Sequence, residues 1–371
     1  MLYLKAGIVL NALIKFARGI FMKKIKGIIA MFFLFCLLSG CGSNSSDDAL
    51  KVALQTTAQG VPAYIAEQEG YIDSEEIETV SVVYATGVAQ LEALGADGWD
   101  VACIGAPPAM TANIAYDAKI IAMVLNESST ELFVRSDSEI VSSGNTVEGI
   151  MGSAESWKGK DIILPLNTTS HYIILSSLAK LGVKASDVNL INMDVGQAYT
   201  AFKSGQGDVV TLWDPNSFTA EEEGWVSVMY GPETGIVCPC MLVASQKAIE
   251  EKPEAIKAWL RAYFNVVESE EFNTEKMASE TFEFFNANNV DITEKEAVMF
   301  AERKEFFGIE EAYEMFYGDL NGRTPAEEYM YNIADFFYEI GSYTKADYEK
   351  VTKGGLFYTD FIKELYENNA K

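Results

Sequence analysis

Histidine is nearly absent from this 371-residue chain, which carries a single imidazole at His171. That excludes a His-Glu-x-x-His zinc site, which needs two. Neither a Gly-x-Ser-x-Gly nucleophile elbow nor a phosphate loop ending in Gly-Lys-Ser/Thr occurs. Basic side chains are scarce: 28 Lys and Arg stand against 54 Asp and Glu, a formal net charge of −26. Such a surface repels nucleic acid, anionic lipid headgroups and, at long range, anionic ligands. An anion bound by this chain has to be held by local donors in a closed site. Cysteine is sparse too, with five residues. Cys238-Pro239-Cys240 has the look of a metal or redox pair, but no second cysteine pair or histidine cluster accompanies it. On an extended strand the two thiols face the same way. Buried small side chains in a strand are the simpler reading, and neither metal nor cofactor is expected.

What the sequence does have begins at its start. The apolar run Gly27 to Leu38 follows Lys23, Lys24 and Lys26 and ends in Leu38-Ser39-Gly40-Cys41. At about 12 residues it is too short for a spanning helix, which needs roughly 20. Basic region, apolar region and small residues before a cysteine read as a bacterial lipoprotein export signal over 1–40, with Cys41 lipidated. Met22 makes a better start for that signal than Met1. A polar tether over 41–49 follows, including Gly42-Ser43-Asn44-Ser45-Ser46-Asp47-Asp48. The protein is therefore expected outside the cytoplasm, on a lipid leash at the cell membrane. Removing the six basic residues of the first 40 leaves 22 against 54 acidic, a net of −32. Cys36 falls in the signal, so Cys103, Cys238 and Cys240 remain, an odd number.

About 330 remaining residues exceed what one hydrophobic core usually serves, so two lobes are expected. Strand-like and helical patterns alternate. Leu50 to Gln55, Ile77 to Tyr84, Asp100 to Ile104 and Lys119 to Leu125 read as strands. Between them Pro62 to Gln68, Val88 to Leu94 and Pro107 to Tyr116 read as helices. The alternation predicts an α/β lobe with a largely parallel sheet. The Ser- and Gly-rich stretch 136–158 interrupts it. A second block follows, with strands at Asp161 to Leu164, Val188 to Met193 and Val209 to Leu212. Its helices are Ser170 to Leu181, closed by Gly182, and Gln197 to Lys203. Gln90 to Val101 and Gln197 to Val209 each read as helix, Gly turn, then Asp-Val opening a strand. From about Ser245 the chain is helical, with Ile256, Trp259, Leu260, Tyr263 and Val267 on one face and a capping box at Thr293 and Glu296. The expected boundaries are 50–135 with 240–371 for the first lobe and 136–239 for the second.

The lone histidine has a suggestive setting. Asn167-Thr168-Thr169-Ser170-His171-Tyr172 lies between a strand and a helix. Hydroxyls and an imidazole at a helix N-terminus, where free N–H groups and the dipole favour an anion, make a candidate anion site. A plain N-cap with a packed histidine is the structural alternative. Further candidate loops sit at strand ends, where α/β sheets bind ligands. They are Thr57 to Gly60, Thr86-Gly87, Gly105-Ala106-Pro107, Glu127-Ser128-Ser129 and Trp213-Asp214-Pro215.

These motifs carry a resemblance. Glu69-Gly70-Tyr71-Ile72, Gly105-Ala106-Pro107-Pro108, Trp157 to Ile162, Asn167 to Tyr172, Asp208-Val209 with Trp213-Asp214-Pro215, and Lys252 to Trp259 occur in one order. In that order they resemble the extracytoplasmic solute-binding lipoproteins of ABC importers in the taurine, alkanesulfonate and nitrate group. Thr168 to Tyr172 is closest to the taurine type and Trp213-Asp214-Pro215 to the alkanesulfonate type. The helical tail beyond about residue 310 is longer than usual, and Cys238-Pro239-Cys240 is a departure. The resemblance implies a two-lobed α/β fold of the periplasmic-binding-protein type II, its helical C-terminal extension packed on the first lobe. It also implies a monomer serving an ABC permease and its ATPase, with no enzymatic activity. Thr168, Thr169, Ser170 and His171 would then meet an anionic head from the second lobe, and Gly87, Gly105, Ala106 and Pro107 from the first. Trp213 would wall the aliphatic part; Asp214, with Glu127, would take an ammonium if the ligand is taurine. A sulfonate only accepts hydrogen bonds, so neutral donors can hold it without paired basic residues. Nitrate, a carboxylate or a thiamine-precursor pyrimidine is the alternative ligand, and an exported enzyme on the same fold the alternative class.

Overall fold

The structure, a computed structural model, describes residues 48–127 and 129–369. The expected signal (1–40) with Met22 and Cys36, the lipidation site Cys41, the tether up to residue 47, and Ser128 lie outside the described residues. In chain order the strands are β1 Leu50–Leu54, β2 Thr79–Val83, β3 Val101–Gly105, β4 Lys119–Asn126, β5 Glu131–Val134 and β6 Asn145–Val147. Then come β7 Ile150–Met151, β8 Asp161–Leu164, β9 Asn189–Asn192, β10 Val209–Leu212, β11 Val226–Tyr230 and β12 Pro239–Ala244. They form two sheets, ordered β2-β1-β3-β12-β4 and β6-β7-β11-β5-β10-β8-β9.

In the first sheet β1 runs parallel to β2 and β3, while β12 enters antiparallel between β3 and β4. All five residues of β3 are buried, as are Ile120 to Leu125 of β4. Strands covered on both faces read as unbroken apolar runs, which is why these two stand out in the sequence. In the second sheet β8 is parallel to β9 and β10, and β5 is antiparallel to β10 and β11. The expected lobe boundary at 135/136 therefore moves. β5 pairs wholly within the second sheet, so the chain changes lobes between β4 and β5 and returns between β11 and β12.

Helices follow the parallel strands: α1 Val61–Gln68, α2 Gly87–Leu94 and α3 Ala106–Tyr116 in the first lobe, α4 Thr169–Lys180 and α5 Val195–Lys203 in the second. Pro62 sits in the first turn of α1, where its missing N–H costs nothing. Thr86 caps α2, its Oγ1 accepting the Ala89 N–H at 3.2 Å. Gly182, at φ +75°, ends α4 as expected. The two Asp-Val repeats hold equivalent places. Asp100 Oδ2 accepts the Lys51 N–H at 2.9 Å, and Asp208 Oδ2 accepts the Asp161 N–H at 2.9 Å. Each aspartate thus ties the start of its strand to the parallel neighbour, β3 to β1 and β10 to β8.

From Pro253 onward the helices are α6 Pro253–Val267, α7 Thr274–Ala287, α8 Glu294–Glu302, α9 Ile309–Tyr317, α10 Pro325–Glu339, α11 Lys345–Thr352 and α12 Asp360–Asn369. α6 buries Ile256, Trp259, Leu260 and Tyr263 on one face, and the Tyr263 hydroxyl donates to the Gln59 carbonyl at 3.1 Å. The capping box of Thr293 and Glu296 opens α8. The C-terminal extension docks on the edge of the first sheet. The Ile120 N–H donates to the Leu356 carbonyl at 3.0 Å, and the Tyr358 N–H to the Ile120 carbonyl at 2.9 Å. It also touches the second lobe, because Phe336 on α10 meets the rings of His171 and Tyr172 on α4. Among the described residues no helix is long and apolar enough to cross a membrane.

Candidate functional site

Helices that follow parallel strands start at the strands' carboxyl ends, so their N-termini gather on one side of each sheet. Between the two lobes this arrangement leaves a cavity of about 100 Å³. The first lobe lines it with the loop after β1 (Gln55, Thr57 to Gln59), the turn before α2 (Ala85 to Gly87), and Gly105 with Pro108. The second lobe supplies Thr168, Thr169 and Ser170 at the start of α4, and Trp213 with Asp214 after β10. The crossing segment adds Glu127, Ser129 and Thr130, and β12 adds Cys240. α8 and the residues after it contribute Phe300 and Lys304.

Ten residues singled out in the sequence line this cavity: Thr57, Thr86, Gly87, Gly105, Glu127, Thr168, Thr169, Ser170, Trp213 and Asp214. Gly60, Ala106, Pro107 and His171 are not brought to it. Gly60 is a close-approach position, where a Cβ would sit 2.3 Å from the Gln55 carbonyl oxygen. Ala106 and Pro107 are buried in the first turn of α3, and Pro108 faces the cavity instead. His171 points the other way. Its Nδ1 accepts the Asn167 N–H at 3.2 Å, and its ring lies edge-on to Phe336 and Phe337 at 6.1 and 5.7 Å. One helical residue on from Ser170 is a rotation of about 100°, enough to turn a side chain from the cavity to the packed face. Burial alone pushes the imidazole down to about 4, so it is neutral.

The hydroxyls at the cavity are partly committed. Thr168 Oγ1 donates to the Pro165 carbonyl at 2.7 Å, and Ser170 Oγ lies 2.9 Å from Thr130 Oγ1, joining α4 to the crossing segment. Thr169 hydrogen-bonds the Cys238 thiol, which burial nevertheless pushes up to about 12. Thr57 Oγ1 and Gln59 Oε1 are buried without a partner and are available to an occupant. The first turns of α2 and α4 bring free N–H groups and the positive ends of two helix dipoles to the cavity from opposite lobes. That combination suits a small group that accepts hydrogen bonds, with Trp213 and Phe300 as apolar wall.

The charged groups are not those of a site with neutral donors only. Lys304 is buried in the cavity wall, its side chain 2% exposed. Its Nζ lies 2.8 Å from Glu127 Oε2, 3.3 Å from Asp214 Oδ2 and 2.6 Å from Ser129 Oγ. Arg303 Nη1 reaches Asp214 Oδ1 at 3.1 Å, and its guanidinium lies over the Phe218 and Tyr230 rings. Burial pushes the Glu127 carboxyl up, but the Lys304 charge and hydrogen bonds from Lys304 and Ser129 outweigh it and hold the carboxyl below its usual value. Burial likewise works against the Lys304 ammonium, and Glu127 and Asp214 together raise it above the usual lysine range. Glu131, one strand residue beyond the crossing, is pushed up to about 7 by burial, with Ser227 and Arg303 pulling against it. Cys103, Cys238 and Cys240 are free, buried thiols. Among the described residues no cluster of three or more His, Cys, Asp or Glu could hold a metal.

Residues 57–268 match the family described as NMT1/THI5 like, and the chain belongs to that family. A Brachyspira hyodysenteriae protein, provisionally named an ABC transporter periplasmic binding protein, is 28% identical over 303 residues, covering 79% of this chain and 86% of its own. The taurine-binding periplasmic protein of Escherichia coli K12 is 24% identical over 216 residues, 57% of this chain and 63% of its own. The crystal structure of the periplasmic aliphatic sulphonate binding protein SsuA from Escherichia coli superposes with a TM-score of 0.60 at 18% identity, covering 80% of this chain and 88% of that one. The likeness in structure establishes the periplasmic-binding-protein fold.

Proposed function

We propose that this NMT1/THI5-like chain is the extracytoplasmic solute-binding component of an ABC importer. It captures taurine or a related small sulfonate between its lobes and delivers it to the permease. The observation that carries this reading is the cavity itself. It is small, lies between two α/β lobes, is walled by Trp213 and Phe300, and receives two helix N-termini with threonine and serine hydroxyls. A sulfonate stays ionised and only accepts hydrogen bonds, which suits such donors. The names carried by the Brachyspira, taurine-binding and sulphonate-binding proteins support the transport role and the ligand class. The ten lining residues named from the sequence are the proposed contacts. A monomer anchored through Cys41 completes the proposal, and the export signal and tether are its sequence basis.

Isothermal calorimetry against taurine, short alkanesulfonates, nitrate, small carboxylates and aminopyrimidines tests the ligand. Tight binding of one sulfonate and none of the others is the expected result. Tight binding of a different class, with no response to any sulfonate, sinks the sulfonate claim and leaves transport standing. Turnover of the bound compound sinks the binding-protein claim. Mass spectrometry of the protein from its native membrane tests the anchor: a diacylglyceryl-modified Cys41 at the mature N-terminus is expected, and an unmodified or Met-initiated N-terminus refutes it.

A further inference from the structure

Among the charged groups described in the cavity wall, Lys304 alone has a role that neither the sequence nor the family match addresses; it lies beyond the matched segment 57–268. Its ammonium donates to Ser129 Oγ at 2.6 Å and pairs with Glu127 Oε2 at 2.8 Å. Asp214 Oδ2 lies 3.3 Å away, close enough for charge attraction but without a hydrogen bond. The carboxylates are occupied on their other sides as well. Glu127 Oε1 accepts the Ser129 N–H at 3.0 Å and the Ser129 hydroxyl. Asp214 Oδ1 accepts the Ser217 hydroxyl at 2.6 Å and Arg303 Nη1 at 3.1 Å. Glu127, Asp214, Arg303 and Lys304 sum to zero charge. The Phe300 ring, 4.8 Å from Lys304 Nζ, packs the ammonium on a further side.

We propose that Lys304 is a specificity-determining residue: its ammonium fills the subsite between Glu127 and Asp214 that a ligand amine would use, so the cavity selects small monoanions without an amine. The choice of sulfonates as the anion rests on the preceding reading, which this proposal narrows from taurine to sulfonates without an amine; the exclusion of amines rests on the contacts above. A ligand ammonium entering here finds Glu127 already paired and a fixed like charge beside it; Asp214 Oδ2, although it accepts no hydrogen bond, already lies 3.3 Å from the Lys304 ammonium. Like charges at that distance repel strongly in a poorly solvated site. An alkyl or hydroxyl tail carries no charge to be repelled and can pack on Trp213 and Phe300. Lys304 also makes the site hospitable to an anion at all, since Glu127 and Asp214 would otherwise face it unbalanced.

The test uses matched pairs that differ in the amine alone, taurine against ethanesulfonate and β-alanine against propionate, measured by calorimetry. The unaltered protein is expected to bind the amine-free member at least roughly tenfold more tightly. In Lys304→Gln the ratio is expected to swing towards the amine by a similar factor, while Lys304→Arg keeps the original preference. Ethylammonium chloride supplies a readout that needs no knowledge of the ligand. It is expected to raise the Tm of Lys304→Ala, by returning an ammonium to the vacated subsite, and to leave the unaltered protein unmoved. Equal or tighter binding of taurine by the unaltered protein overturns the proposal. So does a Lys304→Gln variant that weakens both members equally, which would make Lys304 a general anion partner. If no sulfonate or carboxylate binds, the ligand reading fails, and the ethylammonium response alone decides the role of Lys304.

Discussion

His171 gives the sharpest physical test, because one atom-level contact fixes its protonation. Its Nδ1 accepts the Asn167 N–H, so a proton on Nδ1 would set donor against donor. Its Nε2 is buried without a partner, and the facing side chains are the apolar rings of Phe336 and Phe337. Among the described residues no acidic group compensates a charge there; burial lowers the imidazole from 6.5 to about 4. The unfolded chain binds the proton at 6.5 and the folded chain resists it. The histidine's contribution is therefore fully present above pH 6.5, falls as pH drops below that value, and is lost by pH 4. At 1.36 kcal/mol per pH unit the total is about 3 kcal/mol, with about 2.5 kcal/mol gone by pH 4.5. Urea denaturation followed by tryptophan fluorescence at pH 7 and pH 4.5 measures it. Other groups titrate over the same range, so the comparison is with His171→Asn, whose Oδ1 can keep the Asn167 N–H bonded and does not titrate. The variant is expected to be less stable at pH 7, through lost ring packing, and to close most of that gap at pH 4.5. A difference between the two proteins that stays constant to within about 0.5 kcal/mol across the range would falsify the neutral, desolvated imidazole.

Two further outcomes follow from contacts away from the cavity. Phe336→Ala removes edge contacts from α10 to His171 and Tyr172, pairs worth about 0.5–1.5 kcal/mol each. Since α10 belongs to the C-terminal extension docked on the first lobe and α4 to the second lobe, the loss falls on a contact between the lobes. Ligand affinity is expected to drop roughly tenfold with the taurine-to-ethanesulfonate ratio unchanged; a shifted ratio or an unmoved affinity in calorimetry counts against the contact as a lobe brace. Gly60→Ala drives a Cβ into the Gln55 carbonyl and is expected to cost about 1–3 kcal/mol, read as a lower Tm. An unchanged Tm would mean that the turn relaxes freely and that Gly60 is not fixed by close approach.

The parts of the fold legible in the sequence are those written in short-range patterns. β3 and β4 are continuous apolar runs because helices cover both faces, and Thr86, Gly182 and the Thr293–Glu296 pair punctuate helices within a few residues. The Asp-Val repeats read as equivalent because each aspartate does the same local task, tying one parallel pair. β5 is different. Glu131–Val134 follows β4 after only four residues and looks like the end of the first lobe; its partners Val209–Leu212 and Val226–Tyr230 lie some 75 to 100 residues away. Nothing local marks a chain that changes sheets. His171 shows the opposite error of scale. The Thr168 to Tyr172 segment is distinctive in sequence, but a single helical step separates Ser170, which faces the cavity, from an imidazole packed on α10.

Lys304 was illegible for a stronger reason. In a chain with so many acidic residues any lysine has a surface partner available, and those of Lys304 stand 177 and 90 positions away in sequence, at Glu127 and Asp214. Yet Arg303 and Lys304, adjacent in the chain, divide the two oxygens of Asp214 between them. That arrangement needs α8 to end where it does, and α8 belongs to the helical part that follows the family-matched segment. The cavity therefore takes its strand-end loops from the shared core of the family and its buried cation from outside that core. Loops that present N–H groups and hydroxyls can serve many small acceptors. A lysine delivered from a separate helix adjusts which of them enters without disturbing either sheet. On this basis relatives that keep Thr168 to Ser170 and Asp214 but lack a cation at the position of Lys304 are expected to bind amine-bearing ligands. A relative lacking that cation yet refusing amines in the same matched-pair calorimetry would break the link between this residue and ligand choice.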